Sequence, residues 1–208
     1  MTIDQKETEK TRKRYQRISS FYDGIDIFAE NRYEAWRPLV WGKVQGPNVL
    51  EVGVGTGKNM PYYPKGVSIT GIDLTPGMLA KAKKKATELN LDVQLQLGDI
   101  QTLDFPDNSF DEIVATFVFC SVPDPVLGLS NMRRMLKENG RILLLEHMRA
   151  DNNAVGIVMD ILNPFIVRLM GANINRRTVE NARASGLTIQ QVESLGWGGI
   201  FKLIIAQK

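Results

Sequence analysis

One cysteine and one histidine are all that the 208 residues hold of those two metal-ligating side chains. Cys120 alone cannot close an internal disulfide, and with His147 and no clustered carboxylate spacing it resembles no ligand set, so no metal is expected. Long apolar runs are lacking as well. The most apolar stretch, Ala154 to Met170, is broken by Asp160, Asn163, Pro164 and Arg168 and falls short of the roughly 20 residues of a bilayer span. The polar start Met1-Thr2-Ile3-Asp4-Gln5-Lys6 has no secretory apolar core, so a cytoplasmic location is expected. Charge of one sign is also scarce, with 26 Lys and Arg against 23 Asp and Glu. Lys81, Lys83, Lys84 and Lys85 suit an exposed helix face, no base-stacking platform is evident, and nucleic acid is not an expected partner.

What is present suits one globular domain over residues 1–208. Hydrophobic residues make up 43% and charged ones 24%, and a chain of this length buries roughly 70% of its extended surface without a second core. The expected division is an N-terminal helical lid over residues 1–45 and a core over 46–208, with an apolar insertion at about 150–186. No internal repeat or low-complexity segment interrupts it.

The run Asn48-Val49-Leu50-Glu51-Val52-Gly53-Val54-Gly55-Thr56-Gly57 joins an apolar, β-branched strand to a glycine-rich turn. Such a strand is covered on both faces, and glycines let the backbone turn sharply and approach a ligand. A plain tight turn is the other reading. The spacing excludes a phosphate-cradling P-loop: three residues separate Gly53 from Gly57, and Asn59 rather than Ser or Thr follows Lys58. It also disfavours the dinucleotide fingerprint, whose third glycine position holds Lys58.

Val67 to Asp73 reads as a second strand ending in an acid about 20 residues after the first glycine, where a carboxylate meets ribose hydroxyls. A helix cap before Pro76 is the alternative role for Asp73. Val93 to Ile100 alternates and ends in Gly98-Asp99, placing a further acid at the same sheet edge, where it either meets an adenine amine or is a solvated turn residue. A strand around Ile113 to Val118, a helix from Pro125 to Asn139 closed by Gly140, and an apolar strand from Arg141 to Glu146 follow. Alternating strands and helices make a doubly wound α/β sheet. Leu187 to Glu193 and Phe201 to Gln207, separated by Gly196-Trp197-Gly198-Gly199, suit an antiparallel C-terminal hairpin.

In these motifs the chain resembles the class I S-adenosylmethionine-dependent methyltransferases. The likeness lies in Leu50-Glu51-Val52-Gly53-Val54-Gly55-Thr56-Gly57, Gly71-Ile72-Asp73-Leu74-Thr75-Pro76-Gly77-Met78, Leu97-Gly98-Asp99-Ile100 and Phe105-Pro106-Asp107-Asn108-Ser109-Phe110-Asp111, in the family's order and spacing. It implies a seven-stranded Rossmann-like sheet and S-adenosylmethionine as cofactor, released as S-adenosylhomocysteine. By resemblance Glu51, Gly53, Gly55 and Gly57 hold the methionine end, Asp73 the ribose, Asp99 and Ile100 the adenine, and Met78 packs on its face. Tyr22, Asn59, Leu74 and Phe117 complete the implied cofactor contacts. From about Arg14 to Lys208 the chain looks like the branch with phosphatidylethanolamine N-methyltransferases, quinone-pathway C-methyltransferases and membrane-associated thiol S-methyltransferases. Tyr15, Ile18-Ser19-Ser20-Phe21-Tyr22-Asp23, Phe117 to Val122 and Glu146-His147 carry that narrower likeness. It implies a lipid-associated or hydrophobic acceptor, with phospholipid N-methylation ahead of the thiol and quinone alternatives; a cofactor-binding module without turnover is the non-enzymatic reading.

Two regions outside the cofactor motifs should define the acceptor. Ile18, Phe21, Tyr22, Ile25 and Phe28 recur at helical spacing after the cluster Lys10, Arg12, Lys13, Arg14 and Arg17, which suits a lid and peripheral contact with an anionic membrane at its inner face. The apolar insertion suits either a wall for a hydrophobic acceptor or a kinked helix packed on the sheet. An activated methyl donor asks mainly for alignment, so Tyr15, Tyr22 and His147 are the catalytic candidates, as cation-holding phenols and a base. Cys120, Glu146, Arg176 and Arg177 are the substrate-binding candidates, the arginines as a fork for a phosphate. Each also has a bland role: a structural histidine, a buried thiol, an ion-paired carboxylate, a solvated arginine pair.

Overall fold

The computed structural model describes residues 5–19, 33–196 and 198–208. Seven strands, β1 (Asn48–Val52), β2 (Ser68–Asp73), β3 (Val93–Leu97), β4 (Phe110–Thr116), β5 (Leu136–His147), β6 (Thr188–Leu195) and β7 (Phe201–Gln207), form one sheet in the order β3-β2-β1-β4-β5-β7-β6. β1 to β5 pair in parallel, and β7 lies antiparallel between β5 and β6. The sheet is thus doubly wound with an antiparallel hairpin at its end. Strand order reverses at β1 and β4, which opens a crevice at their carboxyl ends.

The continuous apolar character of the central strands is explained by cover on both faces. Leu50 and Val52 join Ile113, Ile142 and Leu144 in one core, whereas Val49 joins Trp41, Val114, Leu143 and Leu145 in the other. The same alternation puts Glu51 on the Val49 face, and His147 with Leu143 and Leu145.

Among the described residues six helices accompany the sheet: α1 (Gln5–Ile18), α2 (Arg37–Trp41), α3 (Pro76–Glu88), α4 (Pro125–Met135), α5 (Asn153–Met170) and α6 (Thr178–Ala184). Proline in the first turn starts α3, and for α4 Asp124 adds an N-cap by accepting from the Leu127 amide at 2.9 Å. α4 ends four residues before Asn139, because Leu136 turns extended and pairs with Phe110. Gly140 therefore caps no helix; a Cβ there would sit 2.9 Å from the Asp111 carbonyl oxygen, so its smallness serves strand approach.

α5 is a single element that runs through Pro164 and closes at Gly171, whose φ is +81°. The polar residues that interrupt its apolar run tie down the segment after it. Asp160 accepts from Arg149 and from Asn175, both at 3.0 Å, and Asn163 bonds the Asn173 side chain and the Ile174 amide. At the N-terminus α1 packs over α3: the Gly77 amide donates to the Gln16 side chain at 2.9 Å. Phe21, Tyr22, Ile25 and Phe28 lie outside the described residues, as does Trp197.

Candidate active site

A cavity of about 370 Å³ occupies the crevice at the carboxyl ends of β1, β2, β4 and β5, roofed by Thr11 and Tyr15 of α1. On one side the glycine turn forms its floor. Gly53 has φ +69°, and a Cβ there would lie 2.5 Å from Val118 Cγ2; Gly55 has φ +58°, and a Cβ there would meet nothing nearer than 3.9 Å. The glycine turn thus presses on the segment after β4 at Gly53 and leaves open space at Gly55, where a ligand chain can follow the backbone.

Asp73, at the end of β2, is tied to this turn. Its Oδ2 accepts from the Gly55 amide at 2.9 Å and its Oδ1 from the Thr75 amide at 2.8 Å. The Thr75 side chain hydrogen-bonds the same carboxyl, and burial, against these three bonds, raises it above its ordinary value. Asp99 accepts from the backbone and side chain of Gln101, and Gln101 donates on to Thr8 of α1 at 3.0 Å. Ile100, Leu74 and Met78 add apolar surface between the two acids.

Behind the turn lies a buried polar chain. Asn59 donates to Glu51 at 2.5 Å and to Thr116 at 2.8 Å, and accepts from Arg37 at 2.7 Å. Tyr63 donates to the other Glu51 oxygen. Burial pushes Glu51 up to about 7, against the pull of Tyr63, Asn59 and Arg37. Arg37 is 5% exposed, lines the cavity and lies over the Phe117 ring at 5.9 Å.

The other side of the cavity is aromatic. The Tyr33 ring centroid is 5.1 Å from that of Phe117 and 4.9 Å from that of Phe201, and His147 meets Phe201 edge-on at 5.1 Å. Phe117 takes a left-handed φ of +58°, a strained geometry for a bulky side chain that places its ring in this wall. Tyr15 shares a 2.6 Å hydrogen bond with Ser121. Burial raises the Tyr15 phenol against the pull of that bond, pushes the Cys120 thiol up to about 12 and lowers His147. Phenol and thiol therefore stay protonated, and the imidazole stays neutral near pH 7.

The structure brings Tyr15, Gly53, Gly55, Asn59, Asp73, Leu74, Met78, Asp99, Ile100, Phe117, Cys120 and His147 to this one cavity. Tyr22 lies outside the described residues. Five expected contacts are elsewhere. Glu51 stands behind Asn59 and Tyr63, fully buried, because its place in β1 points it away from the opening. Gly57 faces inward: a Cβ there would meet Met60 Sδ at 2.9 Å and Lys85 Cβ at 3.3 Å, so it admits α3 rather than a ligand. Glu146 is fully buried, and its Oε1 accepts from the Val118 and Phe119 amides at 3.0 and 3.1 Å; it braces the turn after β4. Arg176 donates to the Val122 carbonyl at 2.7 Å, and Arg177 is exposed at the start of α6, so the two form no phosphate fork in the cavity.

Tyr33, Arg37, Gln101, Asn173 and Phe201 line the cavity without having been singled out from sequence. Arg37 carried one signal, a cation beside the apolar run Leu39-Val40-Trp41. Phe201 carried none, since only the β5–β7 register sets it opposite His147.

Residues 50–144 match a family model described as "Methyltransferase domain". In that stretch the chain is similar to the class I S-adenosylmethionine-dependent methyltransferase family. Among curated methyltransferases it is 39% identical to a phosphatidylethanolamine N-methyltransferase of Cereibacter sphaeroides over 123 residues, 58% of this chain and 61% of that one. It is 34% identical to a demethylmenaquinone methyltransferase of Staphylococcus aureus over 146 residues, 66% of this chain and 60% of that one. The matches thus span less than two thirds of either relative's length. Geranyl diphosphate methyltransferase in complex with S-adenosylmethionine superposes with a TM-score of 0.65 at 18% identity, over 84% of this chain and 83% of that one. The [4+2]-cyclase SpnF superposes at 0.71 with 20% identity, over 84% and 80%, so the methyltransferase fold also houses other chemistry.

The family implies S-adenosylmethionine, and the residues present fit it. The open backbone at Gly55, the cavity-lining carboxylate of Asp73 and the apolar ledge of Leu74, Met78 and Ile100 suit an amino-acid chain, a diol and a flat base in turn.

Proposed function

We propose that the protein transfers a methyl group from S-adenosylmethionine to the amine of a lipid head group. The observation that carries this reading is the aromatic wall of Tyr33, Phe117 and Phe201 beside a neutral His147. Ring faces attract a cationic nitrogen by about 0.5 to 2 kcal/mol, more as the site dries, and so favour an amine whose neutral nitrogen gains positive charge as it takes the methyl. When bound, the donor supplies a methyl carbon already activated by its sulfonium. Asp73 and the glycine turn hold that group, Tyr15 and Ser121 close the roof over it, and His147 is free to accept the proton that the methylated nitrogen gives up. The thiol of Cys120 takes no nucleophilic part, since burial keeps it protonated.

The same rings can stack on a flat quinone precursor, and the demethylmenaquinone relatives favour C-methylation as the second reading. Transfer to a hydrophobic thiol is the third. A cytoplasmic chain acting at the inner membrane face suits all three. The test offers labelled donor together with phosphatidylethanolamine liposomes, a demethylquinone or an alkyl thiol. Label in the liposomal lipid is the expected result; label in the quinone or the thiol alone replaces the amine reading, and label in none of them removes it.

A further inference from the structure

The outer face of α5 is apolar along its whole length. Ile157, Val158, Ile161, Leu162, Phe165 and Leu169 expose 46% to 84% of their surface, values usual for charged side chains rather than for these. The helix's buried residues Gly156 and Met159 lie against Arg149 and Ala150 in the segment after β5, and its one acid, Asp160, is turned toward Arg149 and Asn175. Among the described residues no helix is long and apolar enough to cross a membrane. A long helix with an apolar face and no span is the pattern of an element lying in an interface plane.

α1 supplies the matching charge. Lys10, Lys13, Arg14 and Arg17 fall at i, i+3, i+4 and i+7 and share one stripe, while Thr8, Tyr15 and Ser19 face the body of the protein. Lys10 and Lys13 also meet Glu7 and Glu9, in exposed pairs that hold little energy against a charged surface. The Arg14 guanidinium lies so close to Gly171, the residue that ends α5, that a Cβ there would sit 2.1 Å from Nη1. Basic stripe and apolar face therefore meet at Gly171, beside Arg168 in the last turn of α5. The next three residues, Ala172, Asn173 and Ile174, line the cavity.

We infer that α5 and the basic stripe of α1 form a monotopic docking face for an anionic lipid surface, with the cavity mouth at its edge. The inference deepens the lipid-acceptor reading and rests on it for purpose: it states the side from which a lipid enters. The stripe favours this occupant over a second copy of the chain, since burying the face against a copy would bring like charges together.

The test is flotation with vesicles of phosphatidylethanolamine and about one third phosphatidylglycerol, against vesicles of phosphatidylcholine alone. Wild type is expected to float with the anionic vesicles. Joint substitution Ile161→Ser, Phe165→Ser and Leu169→Ser should cut partitioning at least about tenfold, and K13E with R17E should cut it on anionic vesicles only. Unchanged Tm and S-adenosylhomocysteine affinity verify that the variants are folded. The inference fails if wild type stays in solution, if the triple variant floats equally well, or if sedimentation shows a dimer that the triple substitution dissociates. Methyl transfer to a short-chain, monomeric phosphatidylethanolamine separates the two readings. Transfer retained without flotation overturns the docking face alone, and flotation without transfer to any lipid overturns the acceptor alone.

Discussion

Glu146→Gln isolates the energetic consequence of a carboxyl buried where the sheet meets the turn after β4. Burial lifts this carboxyl from an ordinary value of 4.5 to about 8, although the Phe119 and Val118 amides and Arg176 pull it down. Its second oxygen, Oε2, has no hydrogen-bond partner, which is why the charged form is disfavoured. Below pH 4.5 the folded and unfolded chains both hold the proton. As pH rises toward about 8 the unfolded chain releases it first, so stability falls across that window and the loss is complete above it. At about 1.4 kcal/mol for each pH unit, the buried charge costs at most ~5 kcal/mol, and relaxation of the site lowers that to ~2 or more. The glutamine oxygen can keep both amide bonds while carrying no charge, so the variant should gain on wild type between about pH 5 and 9. Urea denaturation at about pH 5, 7 and 9 measures the gain; Glu51 is present in both proteins and cancels. A difference between the two proteins that stays constant with pH would refute the placement of a protonated carboxyl at this turn.

Asp73→Ala removes the acceptor of two amides, so it should cost about 1–3 kcal/mol in stability and weaken donor binding at least about tenfold by calorimetry; unchanged donor affinity would move the diol site elsewhere. Gly53→Ala places a Cβ 2.5 Å from Val118 at a φ of +69° and should lower stability by about 1–3 kcal/mol in chemical denaturation. An unaltered denaturation midpoint would show that the turn is looser than drawn. Phe201→Leu keeps the wall apolar but removes a π face, so KM for an amine acceptor should rise about fivefold with donor affinity intact. A variant with wild-type KM would end the cation role of the ring.

Much of the glycine-turn side of the cavity was legible because it is local. A glycine turn, the acid closing β2 and the acid after β3 are each written within a few residues of a strand end, and the parallel sheet collects strand ends at one edge. Glu51 shows where such reading stops. Its motif names it as a contact, yet the period-2 alternation that buries Val49 points it into the protein, where Tyr63 and Asn59 enclose it. Gly57 likewise sits in the motif and serves helix packing. The aromatic side of the cavity was less legible because its members come from distant elements: Tyr33 precedes α2, Phe117 follows β4 and Phe201 opens β7. Only sheet order makes neighbours of them, and no spacing records it.

α1 contributes no fully buried residue, and it rests on the protein through bonds such as Thr8 to Gln101, Tyr15 to Ser121 and Gln16 to Gly77. Lifting it would expose little apolar surface. Water can replace each of those bonds, so the roof can open with a small change in heat capacity and while the sheet stays folded. Exchange of spent donor for fresh would then set its own pace, largely independent of global stability and sensitive to each polar latch.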